Sequence, residues 1–241
     1  LHESGLDEVV CRELNLKTKE PDLAEWKAMV RKIKKRQKEV VIAIVGKYVR
    51  LPDAYLSIIE SLNHAGYDTG SVVKIKWIES SDVTKENVAD KLKDAKGIII
   101  PGGFGDRGVE GKITACQYAR ENNIPYLGIC LGMQIAVIEF ARNVCGLKDA
   151  HSSEFNEICA HPVIDLMEDQ IGITRKGGTM RLGAYPCMTK KGTKLQNLYG
   201  KELISERHRH RYEFNNKYRE IMTQNGMVIS GISPDNKLVE A

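Results

Sequence analysis

The chain has no apolar run long enough to cross a bilayer: Val40 to Val45 and Gly97 to Pro101 stop far short of the about 20 residues a spanning helix needs. No leader-like segment opens it, so the expectation is a soluble cytoplasmic protein without a membrane partner. Its 6 cysteines (Cys11, Cys116, Cys130, Cys145, Cys159 and Cys187) form no C-x-x-C pair, which argues against a zinc site or a disulfide framework and fits a reducing compartment. Aromatic residues make up only 6% of the chain, and none interrupts the basic run from Arg31 to Lys38. That run therefore reads as a solvated linker rather than a nucleic-acid surface, and a net charge of +4 demands no nucleic-acid partner either. There is no internal repeat and no low-complexity tract. At 241 residues, 42% of them hydrophobic, the chain can still bury a sizeable core.

The periodic segments are the positive signal. Leu1 to Leu16 predicts a short amphipathic helix with Leu6, Val9, Val10 and Leu14 on one face, uncapped at its start, as if it were the end of a preceding unit. Asp22 to Lys38 predicts a second helix. From Val40 strands and helices alternate: strands at Val40 to Gly46, Val72 to Ile78, Gly97 to Pro101 and Pro125 to Ile129, with helices at Asp53 to Ala65, Val83 to Lys93 and Val109 to Asn122. Strands that are apolar throughout and separated by helices predict an α/β fold with a doubly wound, mainly parallel sheet covered on both faces. In such sheets function gathers at the carboxyl ends of the strands, where Gly46-Lys47, Gly102-Gly103 and Cys130 fall. Beyond Arg142 the pattern weakens, with strand-like texture at Val163 to Met167 and Ile204 to Phe214, a turn into a strand at Gly177 to Gly183, and a helix at Asn216 to Gln224 that Gly226 stops.

Gly128-Ile129-Cys130-Leu131-Gly132 has the form of a nucleophile elbow, a tight strand-to-helix turn that small neighbours permit. A cysteine on the first turn of a helix meets unpaired N–H groups and the positive end of the dipole, so the expectation is a thiol biased toward thiolate. A carbonyl under attack there needs two donors for its developing oxyanion; the residue after the nucleophile supplies one, Leu131 N–H, and Gly103 N–H in Pro101-Gly102-Gly103-Phe104-Gly105 is the choice for the second. The rival reading of that glycine loop, phosphate binding, lacks the lysine and hydroxyl of a Walker motif.

These two motifs resemble the class I (triad) glutamine amidotransferases. Three further stretches, Gly46 to Tyr55, Gly177 to Gly183 and Glu206 to Glu213, are similar to the CTP synthase branch of that family. The resemblance implies that residues 1–38 are the end of a synthase domain plus a linker and 39–241 the glutaminase domain. It implies Cys130 as nucleophile, Gly103 and Leu131 as oxyanion hole, and Gly103, Phe104, Leu131, Gln134, Glu154 and Arg211 around L-glutamine. No cofactor or metal is implied in this domain; ATP and Mg would act in the synthase domain, GTP as an effector near Asp106 to Gly111, and the full-length protein would be a homo-tetramer. The family's base, a histidine in His-Pro-Glu, has no counterpart before Ala241: His161-Pro162 is followed by Val163, so the chain as given is expected to lack it. His208 and His210, two apart on one strand face, leave His210 with Glu213 as a substitute pair. A stand-alone γ-glutamyl cysteine hydrolase and a catalytically silent regulatory or assembly module stay open as alternatives.

Overall fold

The computed structural model describes residues 2–166 and 180–241. The start, Gly177 to Thr179, of the turn into a strand predicted at Gly177 to Gly183 and the end of the strand predicted at Val163 to Met167 lie outside the described residues. Two short helices lead in, α1 (Leu6–Glu13) and α2 (Ala24–Lys34). The basic run is less a linker than expected: Arg31, Lys32 and Lys34 form the last turn of α2, where cations suit the helix dipole, and Lys38 already opens the first strand.

Strands β1 (Lys38–Gly46), β2 (Ser71–Glu79), β3 (Gly97–Ile100) and β4 (Tyr126–Gly128) form a parallel sheet in the order β2-β1-β3-β4. The connections are α3 (Leu56–Thr69), α4 (Val88–Leu92) and α5 (Val109–Glu121), and α6 (Leu131–Asn143) follows β4. Alternation in the strands assigns the faces. Ala43, Val45, Ile78, Ile98 and Ile100 enter one core with Leu92, Ile113, Ile135 and Ile138 of α4, α5 and α6. Ile44 and Ile99 point the other way and are also buried. On that side Gly66 of α3 comes against Val73 of β2, and Tyr55 stacks on Trp77 at 6.1 Å. Helices thus cover both faces, as the apolar strands predict. The helix predicted over Val83 to Lys93 is shorter: Val83 is extended, and Asn87 folds back to accept from Thr84 N–H and to donate to the Asp82 carbonyl, so regular turns begin only at Val88.

The second half builds two small sheets. One is β5 (Ala150–Ser152), β6 (His161–Leu166) and β9 (Tyr212–Phe214), in the order β5-β6-β9; the other is β10 (Gly231–Ile232), β7 (Arg181–Thr189) and β8 (Leu203–His210), in the order β10-β7-β8. Helix α7 (Lys194–Tyr199) links β7 to β8, and α8 (Arg219–Gln224) follows β9. The chain crosses between these sheets at Arg211, the single residue between β8 and β9.

Candidate active site

Three strand ends and one helix start build the site. At Cys130 the backbone turns with φ 56° and ψ −109°, a left-handed conformation that costs a non-glycine residue on the order of 1–3 kcal/mol. The surroundings impose it. A Cβ on Gly128 would stand 2.4 Å from the Gly132 carbonyl, and one on Gly132 would stand 2.0 Å from the Ile100 oxygen, so strand and helix close to a distance only glycines allow. Ile129 N–H donates to the Ile100 carbonyl at 3.0 Å, and Tyr126 OH donates to the Gly132 carbonyl at 2.6 Å, tying β3 and β4 to the first turn of α6. Behind it Glu139, 1% exposed, accepts from Arg120 of α5 with both carboxylate oxygens at 3.0 to 3.1 Å from Nε, which locks α5 against α6.

The carbonyl of Cys130 accepts from Met133 and Gln134 N–H groups, while the N–H of Leu131 is directed at the thiol together with that of Gly103. Gly102 passes so close that its missing Cβ would lie 3.3 Å from Cys130 Cβ. The two backbone N–H groups chosen from sequence thus both lie beside the thiol. The expected thiolate bias does not follow: burial pushes the Cys130 thiol up, and Glu154 and Glu213 add to it, outweighing the two N–H groups. Part-burial against two carboxylates is stronger here than the helix start.

Glu154, two residues after β5, raises the thiol through its charge, its own carboxyl pushed up by burial and held back by Lys47. Gln134, 6% exposed, is not the solvent-facing residue that helix position alone suggests; its Nε2 donates to the Tyr212 carbonyl of β9 at 3.0 Å, which turns Oε1 outward as an acceptor. Phe104 is 54% exposed and does not form a closed wall; the Arg209 guanidinium lies 5.6 Å over its ring. Arg211 sits at the bend into β9, near the Tyr212 phenol and, through it, Glu154.

Sequence reasoning placed Lys47 at the functional end of the sheet without giving it a role, and passed over Arg209. Lys47 Nζ donates to the Phe104 carbonyl and lies 5.3 Å over the Tyr48 ring; Arg107 lies 5.9 Å from the same ring and donates to the Lys47 carbonyl at 2.5 Å. Beside them Lys112 is 2% exposed, its ammonium brought down to about 8 by burial and by Lys47 and Arg107. The available signal was positional, since Lys47 immediately follows β1 at the functional end of the sheet.

The histidines are engaged elsewhere. His161 meets the Tyr218 ring edge-on at 6.0 Å. His208 and His210 share a face, as their spacing predicts, with Nδ1 atoms 3.3 Å apart, and burial, His208 and Arg181 push His210 down to about 4. Glu213 is not its orienter: it stands 4.0 Å from His210 Nδ1, while Arg181 donates to its Oε1 at 2.9 Å. Among the described residues no cluster of His, Cys, Asp and Glu could hold a metal, and no helix is long and apolar enough to cross a membrane.

A family model described as glutamine amidotransferase class-I matches residues 50–241. The chain belongs to that family. It is 58% identical over 240 residues to the CTP synthase of Geobacillus kaustophilus, 60% to that of Carboxydothermus hydrogenoformans and 55% to that of Bacillus subtilis, in each case across 100% of this chain and 45% of the relative. The chain thus spans a little under half the length of these curated relatives. Among solved structures it is similar to the Trypanosoma brucei CTPS glutaminase domain with bound acivicin, with a TM-score of 0.77 and 38% identity, covering 83% of this chain and 78% of that one.

Proposed function

We propose that this class I glutamine amidotransferase domain is the glutaminase of a CTP synthase, with Cys130 as its nucleophile. One observation carries the reading: a cysteine at φ 56° with two backbone N–H groups, from Leu131 and Gly103, aimed at its sulfur. The thiolate adds to the side-chain amide carbon of glutamine, the C–N bond breaks, and ammonia leaves. Water then cleaves the C–S bond of the thioester, returning glutamate and the thiol. The same two N–H groups stabilise the oxyanion of each tetrahedral species. Oε1 of Gln134 and the Glu154 carboxylate suit the α-amino group of glutamine, Arg211 its α-carboxylate, and Phe104 the rim. The base is assigned to the family's His-Pro-Glu motif, since His208 and His210 are committed to a buried ion cluster.

In this reading the ammonia passes to a synthase domain that uses ATP and Mg to aminate UTP, within a homo-tetramer, and GTP acts as effector. The cations Lys47, beside the loop from Asp106 to Gly111, and Arg107, within it, favour an anionic effector there. The acivicin carried by the T. brucei relative and the 45% coverage of CTP synthases support this assignment over a stand-alone hydrolase or a silent module. In the complete enzyme Cys130→Ala should abolish glutamine-dependent CTP formation and leave formation from free ammonia largely intact. Loss of both activities in a folded variant would make Cys130 structural and refute the proposal.

A further inference from the structure

The bend at Arg211 is bracketed by an ion cluster. Arg181, the first residue of β7, is the cross-strand partner of His210, the residue just before Arg211. Its guanidinium then reaches past the bend to Glu213, two residues after Arg211, at 2.9 Å. One arginine therefore holds backbone on one side of Arg211 and side chain on the other. The second arm of the fork donates to Glu240 at 2.6 Å, and Glu240 lies 3.4 Å from His208 Nε2. All of these side chains are buried: Arg181 7%, Glu213 5% and Glu240 3% exposed. Between them, at Tyr212, the Gln134 amide holds the carbonyl.

A cluster of this kind contributes little to net stability, because desolvating the charges offsets their attraction. What it does supply is geometry. A planar fork between two carboxylates fixes direction as well as distance, and the main chain it fixes is the bend that presents Arg211. We propose that Arg181 and Glu213, backed by Glu240, are positioning residues that hold Arg211 and the Tyr212 carbonyl in register with the thiol of Cys130. The inference rests on the glutaminase reading of the site and adds to it the source of its carboxylate-recognising geometry.

The test uses acivicin labelling of Cys130, in which KI reports binding of the amino-acid end and kinact reports attack by the sulfur. Loss of one charge-assisted contact through mispositioning predicts that Glu213→Gln raises KI about tenfold with kinact within about twofold of the parent. Arg181→Lys, keeping the charge but not the two-armed fork, should recover part of what Arg181→Met loses. The decisive arm is Arg211→Ala: in that background Glu213→Gln should add nothing further to KI, because the group it positions is gone. An equal multiplicative rise in both backgrounds, or an unchanged KI in folded Glu213→Gln, overturns the proposal. If Glu213→Gln fails to fold, Glu240→Gln, which leaves the Arg181–Glu213 bond itself in place, is measured in its place and should raise KI by about threefold, again only with Arg211 present. Arg211→Ala with the parent's KI would show a different failure, that of Arg211 as the carboxylate partner.

Discussion

At the Cys130 end of the cleft the backbone is held where side chains are missing, whereas at the Arg211 end it is held by a surplus of charged ones. Gly128, Gly132 and Gly102 let strand, helix and loop close to van der Waals contact, and the donors that matter are main-chain N–H groups. Arg181, Glu213, Glu240, His208 and His210 crowd behind the other end and hold it through ions and imidazoles. The first kind of construction sets its donors with main chain rather than charge but tolerates no added atom. The second tolerates modest changes of shape but depends on which of its groups carry protons.

The sharpest break of this contrast is Gly132→Ala. Its Cβ would stand 2.0 Å from the Ile100 oxygen, backbone that cannot step aside, so a loss of about 3–5 kcal/mol in denaturant unfolding is expected, together with loss of Cys130 labelling. Wild-type stability would mean that the elbow is looser than this geometry allows.

The charged end should answer to pH instead. His210, facing His208, Arg181, Glu240 and Glu213, is held neutral down to about 4 against an ordinary 6.5. Because the unfolded chain takes up that proton first, stability is fully present above about 6.5 and falls as pH drops toward 4, by at most about 3 kcal/mol. Replacing His210 with Gln should flatten the profile in that window. A parent profile already flat between these values would remove the histidine from the balance.

A smaller effect sharpens the line between the two ends. Glu154 pushes the Cys130 thiol up through its charge alone, so Glu154→Gln should speed alkylation of Cys130 by iodoacetamide at neutral pH about two- to threefold. In parent and variant alike the rate should climb with pH as thiolate forms. Iodoacetamide carries no amino-acid head group, so the change would be read free of any role of Glu154 in binding; peptide mapping separates Cys130 from the other thiols. A slower reaction in the variant would reverse the sign of the assigned interaction.

The same contrast explains what could be read in advance. The parallel sheet was legible because Val40 to Gly46, Gly97 to Ile100 and their helices follow local periodicity, and the elbow because its steric demand selects glycine in the sequence itself. Gly103 and Leu131 followed from the chemistry of an attacked carbonyl. Arg181 was different: nothing local in a strand that starts with arginine says that a glutamate 32 residues on and another 59 residues on will share its fork. Gln134 was assigned only by resemblance, since its burial depends on β9 arriving over α6. The position of Lys47 was legible but its contact was not, and Arg209 was missed, because they act on the carbonyl and on the ring of Phe104, contacts with no sequence spacing.

The reach of Arg181 also bears on the order in which the domain comes together. The elbow draws on β3, β4 and α6, neighbours along the chain whose loops close early and at small entropic cost. Glu213 and Glu240 close on Arg181 only after long intervening segments have folded, and in a chain emerging from the ribosome they arrive after the elbow. A nascent chain would therefore hold a formed elbow, with its strained turn at Cys130, before the bend at Arg211 had set.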